Sequence, residues 1–266
     1  MTQRWKLTIE YDGTAFHGWQ RQAEGMTVQG TIEDAVYKFC GEEVILHVAG
    51  RTDAGVHALG QVAHMDLQRE TDAKTVRDAI NAHMRPHAVS IVHAEPVSSD
   101  FHARFGATRR VYCYKILANR RAAPAIGGQY VWHHSRDLDI AAMNKAAKHL
   151  LGTHDFTSFR DSQCQAKSPV RTMERLEFIE QKDDPVFGRS IHMWAEARSF
   201  LHHQIRNFVG TLALVGEGKW QPDDVKAALE ARDRTKAGYM APAGGLYFVR
   251  VEYGDSTFQR GVDSLL

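Results

Sequence analysis

The chain has 266 residues, a formal net charge of +1 at pH 7, 43% hydrophobic residues and 24% charged residues, which is typical of a soluble globular protein. This length is enough to bury a sizeable core in one large domain or two smaller ones. No run of about 18 apolar residues occurs and the N-terminus lacks an apolar segment, so we expect neither a membrane span nor a signal peptide. Three widely spaced cysteines argue against a disulfide scaffold or a CxxC zinc site, and we expect a cytoplasmic protein.

Hydrophobic periodicity predicts six elements in the first hundred residues. Apolar residues alternate in some segments and recur at helical spacing in others. The predicted elements are strands over 5–11, 44–49, 61–67 and 89–97, and helices over 27–40 and 72–84. Their order is β-α-β-β-α-β, which is the ferredoxin-like arrangement.

A similar pattern follows in the rest of the chain. The predicted elements there are strands over 111–117, 172–179, 190–198 and 245–251, and helices over 138–151, 200–215 and 222–232. We therefore predict an α+β fold of two halves, each with helices on one face of a mainly antiparallel sheet. The halves are 1–105 and 106–253, and residues 254–266 are predicted to be a loose tail.

The first segment that could carry chemistry is 50–58 (GRTDAGVHA), where two glycines flank Arg51 and Asp53. An Asp beside an Arg stays ionised at neutral pH, because the opposite charge favours the anion. An ionised and positioned Asp serves as a nucleophile or a base. An ordinary surface turn with a local ion pair explains the same residues, and the pattern alone favours that turn.

The second segment is basic and aromatic, with two tyrosines among positive charges and no acid. Its basic residues are Arg104, Arg109, Arg110, Lys115, Arg120 and Arg121. Tyr112 and Tyr114 are two apart on the predicted strand and so share a face. Arg offers contacts to RNA phosphates and Tyr offers a stacking surface for an unstacked base. A solvated strand edge with core tyrosines is an equally good interpretation.

Two further patterns concern histidines. On the predicted helix over 200–215, His202 or His203 shares a face with Arg206. None of the fifteen histidines belongs to an HExxH motif, and the sequence contains no CxxC motif, so a metal site is not expected. No Walker A run and no GxGxxG after a strand occurs, so no nucleotide cofactor is expected either.

Taken together, these segments resemble the TruA family of tRNA pseudouridine synthases. The resemblance covers roughly residues 5–253 and its motifs occur in the family's order. They are 10–22 (EYDGTAFHGWQRQ), 50–58, 100–105 (DFHARF), 155–160 (DFTSFR), 200–210 (FLHHQIRNFVG), Ala241-Pro242 and 245–247 (GLY). Gln204 and Gly244 depart from residues common in the family, and neither lies in the motif that carries the catalytic Asp.

The resemblance implies a single extended sheet with the active cleft between the two halves, and a homodimer that holds tRNA across both subunits. It implies isomerisation of uridine to pseudouridine at positions 38, 39 and 40 of the anticodon stem-loop, without metal or cofactor. Asp53 is then the catalytic residue. Substrate contacts are expected from Tyr112, Arg206, Arg51 and Leu246, and tRNA contacts from Arg21, Arg104, Arg109 and Arg110.

Two other classes of function are open at this point. A non-catalytic RNA-binding protein of ferredoxin-like halves explains the sheet, the tyrosines and the basic run, but not an Asp in a glycine-flanked loop. A metal-dependent hydrolase requires converging carboxylates and histidines, which no spacing in this sequence indicates. Leu246 is likewise explained either as a wall of the substrate pocket or simply as a core residue of the last strand.

Overall fold

The computed structural model describes residues 2–184 and 188–254 of the chain. These residues form two units, one of Met1–Arg110 together with the chain from Tyr247 onward, and one of Val111–Leu246. The last strand is thus counted mainly with the first unit, whereas the sequence pattern assigned it to the second half. The tail predicted over 254–266 lies outside the described residues, apart from Gly254.

The first unit contains the predicted β-α-β-β-α-β order, followed at the end of the chain by one more strand. Its elements are β1 (Gln3–Tyr11), α1 (Val28–Cys40), β2 (His47–Val48), β3 (His57–Leu67), α2 (Ala73–Met84), β4 (Val89–Val97) and, from the chain end, β10 (Leu246–Glu252). β1 pairs antiparallel with both β4 and β3. β2 pairs antiparallel with the other edge of β3, and β10 pairs with the start of β3 in parallel.

Local sequence signals explain where the two helices of this unit begin and end. The Thr27 side chain caps α1 by accepting the Gly30 N–H at 3.2 Å, and Gly41 ends the helix in the left-handed conformation. The Asp72 side chain caps α2 by accepting the Thr75 N–H at 3.0 Å. Each helix buries one apolar stripe, so both pack their inner faces into the core.

The second unit has its own strands and three helices among the described residues. Its elements are β5 (Arg109–Leu117), β6 (Trp132–His133), α3 (Ile140–Ala147), β7 (Gly152–Asp155), β8 (Val170–Asp184), β9 (Gly188–Ala197), α4 (Gln204–Gly216) and α5 (Pro222–Ala231). The strand order is β5-β9-β8-β7. The pairs β7/β8 and β8/β9 are antiparallel, and β6 pairs with β5 in parallel. The predicted mainly antiparallel α+β fold is confirmed.

Several predicted boundaries were wrong, and two of these differences have a clear local reason. The strand predicted over 44–49 pairs only at His47–Val48, because the Leu46 N–H donates to the Glu33 carboxylate at 3.0 Å instead of to a neighbouring strand. The helix predicted from residue 200 begins at Gln204, because His203 has a left-handed φ of 61°. The helix predicted over 138–151 is α-helical only over Ile140–Ala147. The short strands β6 and β7 carry too few residues to show a period.

Candidate active site

The Asp53 loop joins β2 to β3 in the first unit and is held as a tight turn. Gly55 has a positive φ of 78°, and the Val56 N–H donates to the Asp53 carbonyl at 3.2 Å. Thr52 is buried, Asp53 is half-buried and Arg51 is exposed. Asp53 therefore directly follows a buried residue and is itself partly accessible to solvent.

The opening motif over 10–22 packs its backbone directly against this loop. The Trp19 N–H donates to the Thr52 carbonyl at 3.0 Å. A Cβ added to Gly13 would lie 2.1 Å from the Val56 carbonyl oxygen, and one added to Gly18 would lie 2.8 Å from that of Thr52. Only glycine permits this approach, so the two motifs that are 40 residues apart form one structure.

Buried hydroxyl groups fix the side of the loop opposite to solvent. The Tyr11 hydroxyl and the Thr52 Oγ1 are hydrogen-bonded at 2.7 Å. Burial raises the pKa of Tyr11 to about 12, and the nearby Asp53 charge acts in the same direction. The phenol is therefore neutral at physiological pH and acts as a hydrogen-bonding support for Thr52.

Side-chain donors also hold the chain where it enters the loop. The Gln61 Nε2 donates to the Gly50 carbonyl at 2.7 Å. The Arg110 guanidinium donates to the Ala49 carbonyl, with Nη2 at 2.7 Å and Nε at 3.1 Å. Tyr11, Thr52 and Gln61 were not predicted from the sequence as individual site residues. Gln61 could have been noticed in the sequence, because it is a polar residue in an otherwise largely apolar strand.

The four arginines predicted to contact tRNA have different environments. Arg21 donates to the Glu33 and Asp34 carboxylates at 2.9 and 2.7 Å, and half of its side chain is exposed. Arg104 is exposed, and Arg109 lies 3.4 Å from the Glu252 carboxylate. Arg110 is only 7% exposed. A role in binding tRNA stays a prediction for all four.

In the second unit, Tyr112 lies on β5 with its ring edge-to-face on Phe200, at a centroid distance of 5.0 Å. Only 7% of Tyr112 is exposed. Its neighbour Tyr114 is buried and donates its hydroxyl to the Pro242 carbonyl at 2.7 Å. Burial raises the pKa of Tyr114, and the positive charge of Arg206 opposes this effect. Both tyrosines are therefore set firmly in the unit.

Arg206 lies in the first turn of α4 and is joined to the segment that follows α5. Its Nε donates to the Ala241 carbonyl at 2.8 Å, and the Ala241 N–H donates to the Arg206 carbonyl at 3.0 Å. The arginine is half-buried, so its position is defined by α4 and by Ala241 together. Leu246, predicted to contact substrate, is a buried residue at the start of β10.

His202 and His203 precede α4 and do not lie on it, which corrects the shared helical face predicted with Arg206. The His203 Nδ1 lies 2.8 Å from the Asp161 carboxylate, and the His202 Nδ1 lies 3.7 Å from it. The left-handed His203 allows the Leu201 N–H to donate to the Gln204 side chain at 2.8 Å. These contacts shape the entry to α4.

The sequence model of a family described as tRNA pseudouridine synthase matches residues 7–106 and 146–254, which is more than half of the chain. The chain belongs to this family, whose members are isomerases. Proteins named tRNA pseudouridine synthase A are similar over nearly their whole length. The one from Paramagnetospirillum magneticum is 55% identical over 97% of this chain and 98% of its own. Those from Rhodospirillum centenum and Caulobacter vibrioides are each 54% identical, over 94% and 95% of this chain and 100% and 99% of their own.

One solved structure, of an unknown protein from Galdieria sulphuraria, covers 87% of this chain and 92% of its own at 11% identity. Its TM-score of 0.21 is too low to indicate a common fold. Over residues 2–184 and 188–254, no helix has both the length and the apolar character needed to cross a bilayer.

Proposed function

We propose that this protein isomerises uridine to pseudouridine at positions 38, 39 and 40 of the tRNA anticodon stem-loop, with Asp53 as the catalytic residue. The observation that carries the proposal is the Asp53 loop, which backbone and buried side-chain contacts hold in place while Asp53 itself is only half-buried. The relatives named tRNA pseudouridine synthase A support the substrate class. The three positions follow from the resemblance of the motifs to the TruA family.

The proposed reaction balances without any cofactor. The bond between ribose C1′ and uracil N1 breaks, and a bond between C1′ and uracil C5 forms. The proton on C5 leaves and N1 gains a proton, so substrate and product have the same composition. An isomerisation of this kind needs neither an oxidant nor nucleotide hydrolysis.

The target uridine has to leave the stack of the anticodon stem-loop before it can react. Unstacking costs a few kcal/mol, and stacking on an aromatic ring returns about 1–3 kcal/mol. We propose Tyr112 as the stacking residue, because its edge-to-face contact with Phe200 holds the ring in a defined position. Only 7% of Tyr112 is exposed. Stacking on the base therefore requires that Phe200 moves, or that tRNA binding changes the surroundings of Tyr112, so that more of the ring becomes accessible.

Asp53 acts on the extruded nucleotide in one of three ways: it attacks the base, attacks C1′, or removes a ribose proton. All three need an ionised carboxylate in a defined position. Arg51, two residues earlier, supplies a nearby positive charge that favours ionisation. Arg206 and Leu246 are proposed to contact the substrate, the first through charge and the second as an apolar wall.

The remaining tRNA contacts are proposed to be electrostatic, since arginine side chains at the surface reach phosphates more readily than base edges in A-form RNA. Arg104, Arg109 and Arg21 are the proposed phosphate ligands in the first unit. A homodimer that binds one tRNA across both subunits, acting in the cytoplasm, completes the proposal and follows from the family resemblance.

Tritium release tests the proposed activity, because forming the bond between C1′ and C5 displaces the hydrogen on C5. Bulk tRNA labelled with tritium at uridine C5 should release label with wild-type protein. Asp53→Asn is nearly isosteric, so the fold should persist, whereas its amide cannot act as a nucleophile or base. We expect label release to fall below detection, and tRNA affinity to change by less than about 1 kcal/mol, because phosphate contacts supply most of it.

Asp78→Asn is the matched control, since Asp78 is exposed on α2 and pairs with Arg77. It should release label at the wild-type rate. Comparable release by Asp53→Asn would show that another residue is catalytic. Tight tRNA binding by the wild type with no release from any tRNA would favour the non-catalytic RNA-binding protein.

A further inference from the structure

Two consecutive backbone carbonyls at the entry to the Asp53 loop each accept from a buried side chain. The Ala49 carbonyl accepts from Arg110, and the Gly50 carbonyl accepts from Gln61 at 2.7 Å. Asp53 follows three residues after Gly50. The direction in which the chain enters the loop is therefore set by these two side chains.

Two nitrogen atoms of the Arg110 guanidinium donate to the same carbonyl oxygen, that of Ala49. Its Nη2 and Nε lie 2.7 and 3.1 Å from the Ala49 oxygen, and Nη2 also lies 2.8 Å from the Arg104 carbonyl. The planar guanidinium thus ties two separate segments together. A lysine in the same place keeps the charge but cannot present this fork.

The segment on the other side of Arg110 is itself held firmly. The Ala103 N–H donates to the His64 Nδ1 at 3.1 Å, and the Tyr253 hydroxyl donates to the Ala103 carbonyl at 2.7 Å. Ala103 and Ala49 also belong to one buried apolar cluster. Arg110 therefore connects this hydrogen-bonded part of the core to the entrance of the Asp53 loop.

Gln61 supports the next carbonyl in an equally defined way. Its side chain is fully buried on β3, and its Oε1 accepts the Val62 N–H at 3.2 Å while its Nε2 donates to Gly50. Burying polar groups is costly unless they are hydrogen-bonded. Loss of either hydrogen bond to a carbonyl would therefore leave buried polar atoms without a partner and destabilise the fold.

We propose that Arg110 and Gln61 are positioning residues that set the place and orientation of the Asp53 carboxylate, and that Arg110 does not bind tRNA phosphate. The inference rests on the proposed role of Asp53. A displacement of about 1 Å at a reacting group lowers a rate by as much as about a hundredfold. Loss of either carbonyl contact should therefore slow the chemical step and leave tRNA binding intact.

The test compares Arg110→Lys with Arg4→Lys in the full-length protein, using a labelled anticodon stem-loop or tRNA at saturating concentration. Arg4 is a matched control because it also joins two segments of the first unit, through Asp66 at 2.8 Å and the Phe101 carbonyl at 3.0 Å. Single-turnover label release, tRNA Kd, the salt dependence of Kd and Tm are measured for each variant well below its Tm.

Arg110→Lys should lower the single-turnover rate about tenfold to a hundredfold, with Kd within about twofold and an unchanged salt slope. Arg4→Lys should lower Tm with a wild-type rate. A rate for Arg110→Lys equal to that of Arg4→Lys would reduce Arg110 to a purely structural residue and overturn the inference. A raised Kd with a shallower salt slope would make Arg110 a phosphate ligand and overturn it as well.

Gln61→Met keeps the result decisive if Arg110→Lys does not fold. Methionine is similar in size to glutamine and removes the donor to the Gly50 carbonyl, so the same slowed rate and unchanged Kd are expected. A wild-type rate would overturn the inference. Asp53→Asn run in parallel separates the two proposals: if Asp53→Asn abolishes release while Arg110→Lys and Gln61→Met release label at the wild-type rate, the catalytic assignment stands and the positioning role fails.

Discussion

Tyr112 is the residue whose surroundings bear most directly on the proposed chemistry. Its ring rests edge-to-face on Phe200 in the second unit. The proposed roles are stacking on the base by the ring and proton transfer by the hydroxyl. These two contributions separate cleanly by substitution, because phenylalanine retains the ring alone.

Tyr112→Phe should therefore bind tRNA with wild-type affinity and turn over more slowly, by about tenfold or more, as is usual when a proton-transfer group is lost. The measurement pairs a filter-binding titration with a single-turnover rate. Tyr130→Phe, a half-exposed tyrosine of the same unit, serves as the control and should behave as wild type. Wild-type turnover in Tyr112→Phe would leave stacking as the only role of Tyr112.

Among the secondary-structure elements, β3 carries a buried histidine that links stability to pH. His64 stacks on His47 at 4.9 Å and meets His102 at 4.8 Å, with Arg4, Asp66 and Phe101 nearby. Burial lowers the pKa of His64 from 6.5 to about 4, and the neighbouring His47 and Arg4 act in the same direction.

Because the unfolded chain binds a proton at His64 more readily, the contribution of His64 to stability is complete above pH 6.5 and is lost as pH falls towards 4. The free energy of unfolding should fall by up to about 1.4 kcal/mol per pH unit in this window. Urea midpoints at pH 7.5, 6 and 5 measure the slope. His64→Gln should flatten it and His83→Gln, at an exposed site on α2, should not. An equal slope in all three proteins would contradict the assignment.

Helix α4 contains a glycine at the point where it approaches the segment after α5. A Cβ added to Gly210 would lie 1.9 Å from the Tyr239 carbonyl oxygen. Replacing a helical glycine with alanine ordinarily stabilises by about 1 kcal/mol, whereas overpacking costs about 1–3 kcal/mol. The clash is with backbone and cannot relax cheaply, so overpacking should exceed the propensity gain.

Gly210→Ala is accordingly expected to lower Tm by several degrees, although alanine is the better helix former. Ala227→Gly, at an exposed position of α5, calibrates the effect of propensity alone and should lower Tm by less. Thermal unfolding followed by circular dichroism provides the comparison. A raised Tm for Gly210→Ala would show that α4 and residue 239 separate readily.

For the molecule as a whole, net charge says little about RNA binding, since +1 averages over 33 basic and 32 acidic residues. Many arginines are already engaged with carboxylates, as Arg21 is with Glu33 and Asp34. An exposed arginine such as Arg104 releases more counterions on binding than one that is already paired.

Arg104→Ala should therefore weaken tRNA binding and reduce the slope of log Kd against log salt by about one. Arg109→Ala should have a smaller effect, because Arg109 lies 3.4 Å from Glu252. Arg77→Ala, at a partly exposed residue of α2 that is paired with Asp78, is the control with no expected change. Unchanged affinity and slope in Arg104→Ala would show that the turn carrying Arg104 faces away from tRNA.

The sequence by itself determined most helices and strands and the family. The strand over 89–97 and the helices after Thr27 and Asp72 carry clear periods and caps, which are local properties that need no tertiary partner. The motifs around Asp53 were equally visible, since they consist of adjacent residues. The hydrophobic period predicted the start of α4 incorrectly, because the left-handed backbone of His203 ends the preceding segment just before the helix.

Only the tertiary structure decided what the polar side chains do. Arg110 looked like its basic neighbours, and a contact with Ala49, 61 residues earlier in the chain, makes it a buried anchor. Tyr11 meets Thr52 across 41 residues, and Gln61 turns back to Gly50. Charge and residue type are the same for a buried and an exposed arginine. What distinguishes them is which distant segment packs against the side chain, and that follows from the fold.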